Sequence, residues 1–112
     1  MASEPRIHRT TMFKIPNPED QKRLLDAYQE LARDQRKGGK PYILYMCAGP
    51  ALEDVRSKGY TVVAKTEFAT LDDMKYYDTE CAAHAELKKK AARLGATEPP
   101  LAVCFEGRPC LM

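Results

Sequence analysis

The 112-residue sequence contains no apolar run near the ~20 residues that a membrane-spanning helix needs. It has little net charge: 18 Lys and Arg stand against 16 Asp and Glu, leaving +2. Neither a nucleic-acid partner nor an anionic membrane surface follows from so small an excess. It has no Cys-x-x-Cys pair, no Ser-His-Asp order, no paired-carboxylate signature, no repeat and no low-complexity stretch. It also lacks a phosphate loop. Gly38-Gly39-Lys40-Pro41 has no strand before it and no Ser or Thr after the lysine, so it reads as a helix stop and turn. The length fits one domain and excludes a separate dinucleotide-binding unit.

The four cysteines are Cys47, Cys81, Cys104 and Cys110. The first twenty residues are polar and carry Pro5, Pro16 and Pro18, unlike a secretory leader. Residue 2 is Ala rather than Gly, and Cys110 stands one position too close to the end for a prenylation box. The expectation is a cytoplasmic protein whose thiols are all reduced.

Residues 1–6 read as a flexible arm, 7–106 as the domain and 107–112 as a tail. Ile7–Ile15 is rich in Thr and apolar residues, which favours a strand. Asn17-Pro18-Glu19-Asp20 starts a helix: Asn17 caps, Pro18 suits the first position, and the two acids oppose the helix dipole. Leu24, Leu25, Tyr28, Leu31 and Ala32 continue at helical spacing, and the helix should stop near Lys37. Residues 42–48 are apolar almost throughout, as in a strand buried on both faces, with Gly49-Pro50 breaking it. Residues 51–59 form a charged connection. Tyr60–Phe68 is a further strand. Thr70 to Asp73 has the capping-box pattern. A helical region then runs to about Leu94, bent near 77–79, and Leu101–Phe105 is the last strand.

That order is βαββαβ, an α+β ferredoxin-like unit: a four-stranded antiparallel sheet with both helices on one face. The other sheet face would be bare. Its simplest cover is a second copy of the chain, which predicts a homodimer.

Met74, Tyr77, Cys81, His84, Leu87 and Ala91 recur three or four apart and form one stripe. His84 therefore faces the sheet, on the same side as Tyr77. An imidazole there can move protons near neutral pH, and a phenol can polarise a carbonyl. A core histidine bonded to the backbone fits the same spacing. His8 shares one face of the first strand with Thr10 and Met12, while Ile7, Arg9, Thr11 and Phe13 share the other. If the first set meets the helices, His8, Tyr28, Tyr77 and His84 converge; otherwise His8 is a strand-end residue in water. Cys81-x-x-His84 offers two metal ligands with no second pair, so no metal is expected. Lys58-Gly59-Tyr60 opens a strand as in RNA-recognition domains, but Val62 and Lys65 stand where stacking aromatics are required, so no RNA is expected either.

Three segments together resemble a known family: His8-Arg9-Thr10-Thr11-Met12-Phe13-Lys14-Ile15-Pro16, Gly59-Tyr60-Thr61-Val62-Val63, and Met74-Lys75-Tyr76-Tyr77-Asp78 through Cys81 and His84 to Leu87-Lys88. The chain is similar over residues 7–106 to the fungal branch of the stress-responsive dimeric α/β-barrel family. The resemblance implies two ferredoxin-like protomers packed sheet to sheet into a dimeric α/β barrel. Many members are known only as stress-induced; a plant polyketide cyclase among them closes a linear polyketide by an aldol reaction without a cofactor. By that resemblance His84 is the catalytic base, His8 is a second site histidine, and Leu24, Leu25 and Tyr28 are pocket residues. The cyclase tyrosine lies six residues before its histidine, where this chain has Asp78. Tyr77 is one place earlier, about 100° around the helix, so either residue is a candidate to assist His84. Related haem-degrading and quinone-forming barrels use a tryptophan, and this chain has none.

The resulting expectation is a cofactor-free acid/base enzyme of cyclase, lyase or isomerase type, acting on a hydrophobic carbonyl or polyketide-like compound in secondary metabolism. His84, Tyr77, Asp78 and His8 are the expected catalytic residues. Thr10, Met12, Leu24, Leu25, Tyr28 and Cys81 are expected to bind substrate. Expected partners are a second copy of the chain and a small hydrophobic molecule, with no nucleic acid and no membrane. The rival expectation is a non-catalytic stress-responsive protein that binds a small molecule.

Overall fold

A computed structural model describes residues 5–108. Residues 1–4 and 109–112, which hold most of the expected arm and tail and include Cys110, lie outside the described residues. The elements are β1 (Ile7–Phe13), α1 (Pro18–Asp34), β2 (Ile43–Pro50), a short 3-10 turn (Val55–Ser57), β3 (Val62–Phe68), α2 (Leu71–Thr79), α3 (Ala82–Ala91) and β4 (Leu101–Glu106). The strands form one antiparallel sheet in the order β2-β3-β1-β4. This is the ferredoxin-like α+β fold.

Local chemistry sets the helix starts. Asn17 accepts the Glu19 N–H at 2.8 Å with Pro18 in the first turn, and Thr70 Oγ1 accepts the Asp73 N–H at 3.1 Å. α1 ends three residues earlier than its stop signals imply. Gln35 leaves the helix in extended conformation, and its buried side chain accepts the N–H groups of Tyr42 and Ile43 at 2.9 and 3.1 Å. One amide thus ties the helix end to the start of β2.

The core lies between the helices and one sheet face. Ile7 and Phe13 from β1, Val62, Ala64 and Phe68 from β3, and Leu24, Ala27, Tyr28 and Leu31 from α1 are buried there with Tyr77, Cys81 and Leu87. Full burial of a side chain such as Leu24 or Phe68 contributes about 1.5–3 kcal/mol.

β2 departs from expectation in three ways. It is an edge strand rather than one buried on both faces. It runs through Gly49 and Pro50, which pair with Val63 and Val62. Proline is tolerated at an edge because its missing N–H need not serve a further neighbour. It also carries a bulge: Ile43 pairs with Phe68 and Tyr45 with the adjacent Glu67, leaving Leu44 extra. The strict alternation expected over 42–48 fails there. Ile43, Met46 and Ala48 pack on the core, while Leu44 and Tyr45 are 47% and 46% exposed.

The helical region after Thr70 is two helices rather than one bent one. Glu80 and Cys81 both donate their N–H to the Tyr76 carbonyl, at 2.8 and 2.9 Å. That pair of hydrogen bonds closes α2, and α3 restarts at Ala82.

Candidate active site

β1 presents Ile7, Arg9, Thr11 and Phe13 to the helices. Ile7 and Phe13 join the core, and Arg9 and Thr11 line a cavity of about 580 Å³. The cavity lies between β1, Tyr28 of α1, one side of α3 (His84, Leu87, Lys88, Ala91) and the connection into β4 (Leu94 to Pro100). Most of its wall is apolar.

The break between α2 and α3 prepares His84. An unbroken helix would spend the Tyr77 carbonyl on the Cys81 N–H, four residues on. Here Cys81 bonds Tyr76, so the Tyr77 carbonyl is left without a helical donor. His84 Nδ1 meets it at 2.7 Å. A carbonyl only accepts, so Nδ1 carries the proton and Nε2 is the basic nitrogen. The imidazole also stacks on the Tyr77 ring, with centroids 3.7 Å apart and planes 11° from parallel. The next carbonyl, of Asp78, is met by Lys88 Nζ at 2.7 Å.

Burial pushes the His84 pKa down to about 4, against the hydrogen bond to the Tyr77 carbonyl; the charges of Arg9 and Lys88 push it the same way as burial. The ring is therefore neutral at physiological pH and free to accept a proton. Burial raises the Tyr28 phenol to about 12, partly offset by Arg9. The Tyr77 phenol is also raised by burial, and its Oη has no hydrogen-bond partner among the described residues. Both tyrosines keep their protons, so neither serves as a phenolate base, and each can donate its O–H.

The expected site residues divide. His84 and Tyr28 line the cavity. Tyr77, 1% exposed, stands behind His84 as its stacking wall. Asp78 pairs with Arg9 Nη2 at 3.1 Å and makes no bond to His84. Leu24 and Cys81 are buried in the core, and Leu25 packs at its margin.

His8, Thr10 and Met12 are corrected outright. They lie on the opposite sheet face, where His8 stacks on Phe105 of β4 at 4.8 Å and comes within 4.0 Å of Glu67. The convergence of His8 with His84 does not occur, because Ile7 and Phe13 are the larger apolar pair and take the core side. Arg9 is the site residue that sequence reasoning passed over. Its signal was a charged side chain alternating with Ile7, Thr11 and Phe13 on one strand face.

Among the described residues no group of three or more His, Cys, Asp or Glu side chains could hold a metal ion, and no helix is long and apolar enough to cross a membrane. Cys47, Cys81 and Cys104 are free thiols.

The stress responsive A/B barrel domain matches residues 7–96 of the chain. The protein belongs to this family. A fusaristatin A biosynthesis cluster protein of Gibberella zeae is 57% identical over 84 residues, 75% of this chain. The match spans 61% of that relative's length. A dimeric ferredoxin-like protein of unknown function from Thermobifida fusca superposes with a TM-score of 0.72 at 15% identity, over 95% of this chain and 94% of that one. The hydroxynitrile lyase of Passiflora edulis superposes at 0.71 and 13% identity, over 92% and 94%. At such identities the likeness is one of fold.

Proposed function

We propose that this A/B barrel protein is a cofactor-independent acid/base enzyme of cyclase, lyase or isomerase type, acting on a hydrophobic carbonyl compound of polyketide-like character in secondary metabolism. The observation that carries this reading is His84: a neutral imidazole, its Nδ1–H fixed by a main-chain carbonyl, on the wall of a largely apolar cavity. Nε2 takes a proton from carbon next to a carbonyl, leaving an enolate. The Tyr28 hydroxyl, held protonated by burial, donates to the enolate oxygen. The enolate then attacks a second carbonyl, expels a leaving group or is reprotonated elsewhere by the His84 imidazolium. All three outcomes share the first step. The relative from a fusaristatin A biosynthesis cluster supports the metabolic setting.

The same reading makes the protein a homodimer. Leu44 and Tyr45 of β2 and Leu101, Val103 and Phe105 of β4 are half exposed on the sheet face away from the helices, and a second copy would cover them.

The shared first step is testable without the natural substrate. Ethyl 3-oxodecanoate in deuterium oxide exchanges its C2 protons, and NMR follows the rate. Wild-type protein should accelerate exchange. His84→Asn retains an amide donor for the Tyr77 carbonyl but no base, and should lose about 100-fold or more of the enzymic rate. Binding of the ester without acceleration would make the protein a binder. Acceleration surviving His84→Asn would remove His84 as the base.

A further inference from the structure

Arg9 is a cation in the centre of the sheet, on the core side, with its side chain 12% exposed. Buried guanidinium groups kept for structure alone are ordinarily saturated with paired bonds. Arg9 is not. Nη1 donates to Thr11 Oγ1 at 3.0 Å, and Nη2 makes a single 3.1 Å contact to Asp78, whose side chain is 38% exposed. Nε is buried and has no partner among the described residues. The group lines the same cavity as His84, and so does Lys88. The one carboxylate on that wall, Glu98, is already engaged by Lys14 at 3.2 Å. The cavity therefore joins an apolar wall to an excess of positive charge at the His84 end.

We infer that the substrate carries an ionised carboxylate on an apolar chain, and that Arg9 is the residue that holds it. The inference rests on the cavity being the substrate site and names the class of molecule it takes. The guanidinium has unused donor capacity for an anion, and Phe13, Leu87, Ala91 and Pro99 offer contact to a hydrocarbon chain. A bound carboxylate also offsets the charges of Arg9 and Lys88, which add to burial in disfavouring the protonated His84 ring. Substrate binding would then strengthen the base at the moment it is needed.

Decanoate, decanamide and 1-decanol are suitable probes, being alike in chain length and different in charge. Binding is read from chemical-shift changes of the Leu87 and Ala91 amides in the full-length protein. Decanoate should bind about ten-fold or more tightly than either neutral probe, the scale of one charge-assisted hydrogen bond. Arg9→Met should bring the three within about two-fold of one another. Arg9→Met combined with Asp78→Asn removes both charges, so no carboxylate is left unpaired, and should give the same levelling. Asp78→Asn alone should tighten decanoate several-fold, because it frees Nη2; a merely structural Arg9 would leave the preference unmoved. Equal binding of all three probes to wild type, or a preference that survives loss of Arg9, overturns the inference. His84→Asn should leave the preference intact, so failure of the catalytic reading and failure of this one give different results.

Discussion

His84 touches Tyr77 twice: its Nδ1–H binds the Tyr77 main-chain carbonyl, and its ring lies on the Tyr77 ring. The contact joins α3 to the end of α2 across the break that freed that carbonyl. The two residues form one device, in which backbone and ring fix the tautomer and the plane of the base together.

The Tyr77 hydroxyl is a separate matter. It is buried and has no partner among the described residues. Removing an unsatisfied polar atom costs nothing in lost bonding. Tyr77→Phe should melt at the wild-type temperature or somewhat above it. One kcal/mol corresponds to roughly 4–8 °C in a domain this size, so calorimetry resolves the effect. Exchange activity should persist, since Tyr28 and not Tyr77 lines the cavity. A fall of more than about 4 °C would mean that the hydroxyl is bonded after all.

Stability should depend on the His84 proton. Its ordinary value is 6.5 and the folded value is about 4, lowered chiefly by burial. The unfolded chain therefore binds the proton more readily. Above pH 6.5 the ring is neutral in both states and costs nothing. As pH falls from 6.5 to 4 the unfolded state gains protons and stability is lost, up to about 3 kcal/mol. Below pH 4 the loss levels off. Urea unfolding at pH 7, 5.5 and 4.5 should show wild type losing more stability than His84→Asn. Parallel slopes for the two proteins would contradict this burial.

The open sheet face should control assembly. Light scattering at low micromolar concentration should give about twice 12.6 kDa. Val103→Asp places a charge in the middle of the β4 row, beside Leu101 and Phe105, and should shift the protein towards monomer at that concentration. A stable wild-type monomer would show that this face needs no second copy.

Much of the architecture is written in local signals. Asn17-Pro18 and Thr70 start their helices by side-chain caps that need only neighbouring residues. The stripe of Tyr77, Cys81, His84 and Leu87 follows from helical periodicity, and all four side chains are buried. Periodicity survived even the break at Glu80 and Cys81, because both short helices keep their apolar side on the sheet.

What periodicity cannot do is choose between layers. It sorts β1 into His8, Thr10 and Met12 against Ile7, Arg9, Thr11 and Phe13, but each set has apolar members. Only packing against Leu24, Tyr28 and Phe68 decides which set meets the helices. The same holds for the bulge at Leu44, which depends on register with β3, and for the connection from Leu94 to Pro100, which walls the cavity by lying beside residues some eighty positions away, as when the Thr97 N–H reaches the Lys14 carbonyl. The sequence by itself determined the order of elements and the inward face of His84, because caps and helical spacing act over a few residues. The tertiary structure decided that His8 leaves the site and Arg9 enters it, because strand phase and register are fixed by contacts between segments far apart in the chain.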